Sequence, residues 1–162
     1  MHPIKYRRLS IEELTHLEEK FIQFLVVNGI SAEDWVKIKS ENLDQTNDLI
    51  DSFSDTIFEG LMQKTTFFEY ADSKMILSYK VDDKKAICYI LMIKADSNLV
   101  IDPEKPEASI AGISPDDFTL TVASKEIQGD RNLFVYQELE KGRYISDGKL
   151  FDFFSKLNDQ PI

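Results

Sequence analysis

The sequence is poor in the residues on which most catalytic and metal sites depend. Its 162 residues include one cysteine, Cys88, and two histidines, His2 and His16. A single cysteine excludes an intrachain disulfide and fits a reducing compartment. Neither histidine is spaced with a second metal ligand, and no HExxH or CxxC motif occurs. We therefore expect no metal centre and no cofactor.

Glycine-rich and serine-centred motifs are missing too. The six glycines are scattered, and there is no GxGxxG, Walker or GxSxG pattern. Cys88 lies between Ile87 and Tyr89 in a strand-like run, which predicts a buried, inert thiol rather than a nucleophile. An enzyme built on this chain would have to use carboxylates, tyrosine, lysine or arginine, and we favour a protein without catalytic activity.

Long apolar runs are absent as well, and the charge is of one predominant sign. No apolar run approaches the ~20 residues of a membrane span, and the N-terminal segment lacks the apolar region of a signal peptide. We expect a cytoplasmic protein. The net charge of −10 opposes neutralisation of phosphates, so binding to nucleic acid or to a membrane surface is disfavoured.

What is present is a helical first part and a strand-rich second part. Ser10 and Glu13 form a capping-box pattern, Gly29 fits a helix end, and Ser31 and Asn42 fit further N-caps. The predicted N-terminal helices run from 11 to about 28, from 32 to 39 and from 43 to 64. After Thr65 the apolar period changes to two. The predicted strands are 65–70, 75–81, 86–93 and 118–123, with 97–101 as a further candidate.

Two C-terminal helices complete the prediction. The segment 148–157 has helical apolar spacing, while 130–141 fits a strand or a helix, of which we favour the helix. The sequence thus predicts an α+β fold with three N-terminal helices packed on a four- to five-stranded antiparallel sheet, followed by two C-terminal helices. We expect one domain over 1–162, with 1–8 as a flexible arm.

The third predicted helix has the clearest amphipathic pattern. Its apolar face is predicted to contain Leu43, Ile50, Phe53, Ile57 and Leu61. On the opposite side is an acidic stripe, made of Glu41, Asp44, Asp48, Asp51, Asp55 and Glu59. This stripe is either a solvated face or a docking surface for a basic partner. Tyr6, Arg7 and Arg8 are a second candidate contact, which can equally fold back onto an acidic helix face.

The segment 102–117 is a long, proline-containing loop, and loops of this length are often functional. Its acidic residues, Asp102, Glu104, Asp116 and Asp117, are candidate ligands for a small molecule or a divalent cation. The alternative interpretation is an ordinary surface loop.

Several segments resemble a family of uncharacterised, domain-of-unknown-function proteins of Bacteroidetes. They are TyrArgArgLeuSer at 6–10, GluGluLeu at 12–14, PheIleGlnPheLeuValValAsnGlyIle at 21–30, AspTrpValLysIleLys at 34–39 and GlyArgTyrIleSerAspGlyLysLeuPhe at 142–151. The resemblance implies a bacterial cytoplasmic protein and brings no activity, cofactor or site residue with it.

The leading functional hypothesis is a non-enzymatic protein-binding or adaptor domain. Its partner would be another protein, for example one with a basic patch. The chain itself would be a monomer or a homodimer. One alternative is a carboxylate-based enzyme or small-ligand binder that uses the 102–117 loop. A further alternative is an acidic immunity- or inhibitor-type protein that masks a basic target.

Overall fold

The computed structural model describes residues 2–159, and its internal contacts divide the chain into two compact units, 1–63 and 64–162. Met1, the first residue of the predicted arm, lies outside the described residues. That the chain forms one domain stays a prediction. Within residues 2–159, no helix is both long and apolar enough to cross a bilayer.

The first unit is helical. Its helices are α1 (Ile11–His16), α2 (Glu18–Val27), α3 (Ala32–Glu41) and α4 (Leu43–Lys64), whose last residue falls at the boundary. The capping box predicted at Ser10 is present, and Ser31 caps α3 as predicted, through a second capping box with Asp34. The single helix predicted over 11–28 is wrong, because Leu17 leaves helical geometry with φ −104° and ψ 17°. Its N–H is shared between the carbonyls of Glu13 and Leu14, at 3.1 and 3.2 Å.

Aromatic rings form the core of this unit. The Phe53 ring centroid lies 5.0 Å from that of Phe21 and 5.4 Å from that of Phe24. The apolar face predicted for α4 is partly wrong, since Leu43 and Leu61 are exposed while Phe58 and Met62 are buried. The Tyr6 and Phe58 ring centroids lie 5.9 Å apart. A segment outside the helix therefore covers Phe58, and the buried side of α4 differs from the predicted one.

The second unit contains a five-stranded antiparallel sheet in the order β4-β3-β2-β1-β5. The α+β class and the antiparallel sheet are therefore confirmed. The strands are β1 (Phe67–Ala71), β2 (Met75–Val81), β3 (Lys85–Ile93), β4 (Phe118–Glu126) and β5 (Tyr144–Ile145). The two-residue β5 was not predicted, because it is too short to show a period.

The connection between β3 and β4 differs from its prediction in two ways. Segment 97–101 is not a strand, since Ile101 donates a single hydrogen bond to the Ser73 carbonyl at 3.0 Å and no ladder follows. The 102–117 loop contains a short helix, α5 (Pro106–Ile110), and a 3₁₀ turn at Pro115–Asp117. Ile101 and Ile110 are buried in the core of this unit, which anchors the connection.

Both predicted C-terminal helices are present, as α6 (Arg131–Glu140) and α7 (Lys149–Asn158). The helix favoured over 130–141 is confirmed, and Asp130 caps it by accepting from the Asn132 and Leu133 amides. Leu150, Phe151 and Phe154 of α7 are buried with the apolar side chains of one sheet face. The Tyr89 and Phe151 rings meet edge to face at 4.9 Å.

A glycine is required where β5 turns into α7. Gly148 has φ +83°, and a Cβ atom placed on it would lie 2.7 Å from Cδ2 of the Phe67 ring. Gly142 also has a positive φ, of +94°, but nothing surrounds the position of its Cβ. The two residues therefore separate backbone strain from steric overlap.

We predict that Gly148→Ala destabilises the protein more than Gly142→Ala does. The left-handed backbone alone costs about 1–2 kcal/mol in either variant, and overpacking against Phe67 adds roughly 1–3 kcal/mol at position 148. Urea unfolding of both variants measures the difference. Equal losses of stability would show that the Phe67 ring moves aside at no cost.

Candidate functional site

The N-terminal arm lies along the acidic stripe of α4. Asp55 is the centre of this contact: its carboxylate accepts hydrogen bonds from the backbone amides of Lys5, at 2.8 Å, and Tyr6, at 3.0 Å. The His2 ring Nε2 lies 3.0 Å from the same carboxylate. Amide donors on both oxygens fix the arm in register along the helix.

Neighbouring carboxylates of the stripe hold other parts of the arm. The Arg8 guanidinium donates to both oxygens of Asp51, at 2.6 and 2.8 Å. The Lys5 ammonium and the Tyr6 hydroxyl both donate to Glu59 at 2.6 Å. Burial, together with the Glu59 hydrogen bond, raises the pKa of Tyr6 to about 12.

Asp48 and Arg7 complete the arm's contacts. The His2 backbone amide donates to Asp48 at 2.8 Å and holds the pKa of that carboxyl below its usual range. Arg7 forms two 2.8 Å hydrogen bonds to Glu13 of α1, which lower the pKa of Glu13 to about 2. Asp44 is exposed. Four carboxylates of the predicted docking surface are thus already engaged by residues 2–8 of the same chain.

The acidic residues of the 102–117 loop serve mainly in local turns. Asp102 accepts from the Glu104 amide at 3.0 Å, and Asp117 accepts from the Ser97 hydroxyl at 2.8 Å. The Asp116 amide donates to the Ser114 hydroxyl at 3.3 Å. In the part of the chain that the structure describes, no group of three or more Asp, Glu, His or Cys side chains is placed to hold a metal ion.

The same loop borders a shallow groove of about 710 Å³ in the second unit. We call it the loop groove. Its wall contains Glu104 of the predicted loop candidates and the ring of Tyr144 from β5. The loop groove is lined by Pro103, Glu104, Lys105, Pro106, Glu107, Ala108 and Tyr144.

A row of polar side chains crosses the sheet from Tyr144. Strand register pairs Tyr144 with Glu69 of β1, and Glu69 with Ser78 of β2. Directly paired residues of antiparallel strands point to the same face, so Ser78, Glu69 and Tyr144 form one polar row. Glu69 is 4% exposed and Ser78 is fully buried. Within residues 2–159, neither Oε1 of Glu69 nor Oγ of Ser78 has a hydrogen-bond partner.

Burial controls the ionisation of this polar row. It raises the pKa of Glu69, an effect that the neighbouring hydroxyls of Ser146 and Tyr144 oppose and the charge of Glu107 reinforces. It also raises the pKa of Tyr144 to about 12, with the Glu69 charge adding to the shift. The row can therefore hold a proton on Glu69 at a higher pH than an exposed carboxyl can.

Cys88 lies on the opposite face of the sheet and is buried, as predicted. Burial raises the pKa of its thiol to about 11. A thiol in this state is protonated at neutral pH, which makes it a poor nucleophile.

Sequence reasoning missed the polar row. Its one signal is Glu69, a single acidic residue within the strand-forming run ThrThrPhePheGluTyr. The partner Tyr144 could not be found in this way, because it reaches Glu69 only through the pairing of β5 with β1. The predicted loop candidates lie in the same unit, and Glu104 is the one that lines the loop groove.

The helical first unit and the second unit, with its antiparallel sheet and buried carboxyl, define a small α+β protein. The chain belongs to the family of unknown function DUF6495, whose model matches residues 1–159. No curated protein and no solved structure matches the chain.

We predict that Glu69→Gln becomes more stable relative to the wild type as the pH rises from 4 to 8. The folded pKa of Glu69 is raised above 4.5, so its contribution to stability is complete below that value and is lost as the pH rises through the folded pKa. Glutamine has no proton to lose. Thermal unfolding of both proteins at each pH measures the difference.

The matched control is Glu104→Gln, which removes an exposed carboxyl from the loop groove. Its stability relative to the wild type should change little over the same range. A difference between Glu69→Gln and the wild type that stays constant or shrinks as the pH rises would contradict the buried-carboxyl interpretation.

Proposed function

We propose that the second unit binds a small molecule carrying a protonated amine in the loop groove, with the polar row as its recognition element. The observation that carries this proposal is the buried Glu69 carboxyl, which has an unpartnered oxygen and adjoins the groove-lining Tyr144. This develops the hypothesis of a ligand site that uses the 102–117 loop.

The free-energy cost of burying unpartnered polar atoms in the polar row supports a binding role. A buried polar group without a partner costs about 1–3 kcal/mol, and Glu69 and Ser78 present two such atoms on paired strands. Buried groups with perturbed pKa values that lie beside a cleft are candidates for functional sites. A ligand that donates a hydrogen bond toward Glu69 would offset part of this cost.

The charges around the loop groove favour an amine over an acid. Glu104 and Glu107 line the groove together with a single cation, Lys105. The partly exposed ring of Tyr144 offers a face for a cation–π contact, worth about 0.5–1 kcal/mol at an exposed site. A carboxylate ligand would instead face the field of three glutamates.

The test compares ligands of one shape and different charge. We expect n-butylamine to bind in ligand-observed NMR at pH 7.5, and n-butanol and butyrate to bind at least several-fold more weakly. Glu69→Gln should weaken amine binding by roughly 10-fold or more, since hydrogen bonds to charged groups are worth about 1.5–3 kcal/mol.

The control for this experiment is Glu12→Gln, an exposed substitution in the first unit. It should leave amine binding unchanged. Equal binding of all three ligands, or an unchanged affinity in Glu69→Gln, would refute the assignment.

A second candidate function, the protein-binding role, is favoured by the arm itself. Residues 2–8 show the chemistry that the acidic stripe accepts: an extended segment that presents backbone amides, a tyrosine hydroxyl and basic side chains. A basic segment of another protein, including the target of an inhibitor-type protein, would have to displace the arm. Because the arm is tethered, its effective concentration is on the order of millimolar.

The arm hypothesis is tested with a labelled peptide that copies residues 2–10. We expect the peptide to bind Arg8→Glu more tightly than the wild type, because charge reversal loosens the arm from Asp51. Adding Asp55→Asn should remove this binding, since the arm's amide acceptors are reduced. If the peptide binds neither protein while both remain folded by circular dichroism, the stripe accepts its own arm only.

We further propose that the protein acts in the cytoplasm of a bacterium of the Bacteroidetes. The support is the single, reduced cysteine, the charge distribution and the resemblance of residues 6–39 and 142–151.

A further inference from the structure

A second cavity lies on the other face of the sheet, next to α6. Its volume is about 400 Å³, within the range of small-molecule sites. Tyr79, Cys88 and Ala123, which strand register places side by side on β2, β3 and β4, form its base. We call it the Arg143 pocket. Its lining is completed by Leu77, Ala86, Ile90, Ser124, Lys125, Phe134, Glu138, Lys141 and Arg143.

The charge of this pocket opposes that of the whole protein. Lys125, Lys141 and Arg143 line it with one acidic residue, Glu138, although the chain carries a net charge of −10. Cys88 adds no negative charge, because burial keeps its thiol protonated. A concave surface with a local excess of cations attracts an anion.

Glu138 neutralises only part of this positive charge. It is buried, and it accepts from Lys141 at 2.8 Å. Oε2 of Glu138 also forms an ion pair with Nε of Arg143 at 3.5 Å, although this contact lacks hydrogen-bond geometry. In the described residues, Nε of Arg143 is a buried donor with no hydrogen-bond partner.

The Arg143 guanidinium also lies near two tyrosine rings. It lies 5.7 Å from the Tyr70 ring centroid and 6.0 Å from that of Tyr79. Its Nη1 donates to the Lys141 carbonyl at 3.3 Å. An arginine that is positioned but not fully bonded is preorganised for a planar oxyanion, to which it can donate two parallel hydrogen bonds.

We propose that the Arg143 pocket binds a small amphipathic carboxylate. The carboxylate would pair with Arg143, and Lys125 would add charge at the rim. The apolar tail would lie on Leu77, Ala86 and Ile90, which supply the apolar part of the lining. This site is separate from the loop groove and does not depend on the proposed function.

The test measures binding of octanoate, octanol and octyl phosphate by isothermal titration calorimetry on the full chain. We expect octanoate to bind and octanol to bind at least 10-fold more weakly. Raising the salt from 50 to 500 mM should lower the octanoate affinity and leave the octanol affinity unchanged. Octyl phosphate that binds 10-fold tighter than octanoate would overturn the assignment of a carboxylate.

Two variants locate the binding. Arg143→Gln should weaken octanoate binding about 10- to 100-fold, as expected for loss of a hydrogen bond between charged groups. Since this change also removes a neighbour of the buried Glu138, Lys125→Gln serves as a second variant at an exposed position. It should weaken binding roughly 2- to 5-fold, the range for an exposed ion pair.

Lys84→Gln is the matched control, because it removes an exposed lysine outside the pocket. It should leave octanoate binding unchanged. Octanoate should also shift the amide resonances of Cys88 and Ala123 more than those of β1. Octanoate affinity that is equal in Lys125→Gln, Lys84→Gln and the wild type would overturn the proposal, as would shifts confined to other strands.

Discussion

The pairing of β5 with β1 is the constraint on which both candidate sites of the second unit depend. In the described part of the chain, two residue pairs make this contact, Phe68 with Ile145 and Glu69 with Tyr144. It brings Tyr144 against the buried carboxyl and the loop groove, while the preceding residue, Arg143, lines the pocket on the other face. Because side chains alternate along an extended chain, one short segment supplies a side chain to each site.

A β5–β1 pairing of two residue pairs is too small to be stable alone, so contacts of the flanking residues must stabilise it. On its C-terminal side, the Ser146 amide donates to the Phe67 carbonyl at 3.1 Å, and Gly148 turns the chain closely past the Phe67 ring. Helix α7 then begins, and its Phe151 ring lies 5.7 Å from Phe67. The register of Tyr144 on Glu69 therefore follows from apolar packing around Phe67. A slip of one residue would move Tyr144 to the other face and Arg143 toward the buried glutamate.

The sequence predicted the helices and strands better than it predicted the contacts between them. Caps, helical periods and hairpin spacings depend on neighbours in the chain, so the boxes at Ser10 and Ser31, the α6 helix and the first three strands were accessible. The break at Leu17, the exposure of Leu43 and the two-residue β5 depend on packing between distant segments. The polar row was inaccessible for the same reason, since Glu69, Ser78 and Tyr144 are adjacent only in the folded sheet.

The distribution of carboxylates explains why the acidic stripe was the conspicuous feature and Glu69 the informative one. Carboxylates spaced along a surface helix are visible in sequence, yet each can be satisfied by water or by an exposed cation, and such pairs contribute about 0–1 kcal/mol. The arm neutralises the stripe in this way, with cations that stay partly exposed to solvent. A carboxyl buried among strands has no such substitute, because only a placed partner or a retained proton can compensate for its lost hydration. Within residues 2–159, Oε1 of Glu69 has no hydrogen-bond partner, so Glu69 needs a partner more than the stripe carboxylates do. The stronger argument for a ligand therefore rests on one buried carboxyl rather than on the six of the stripe.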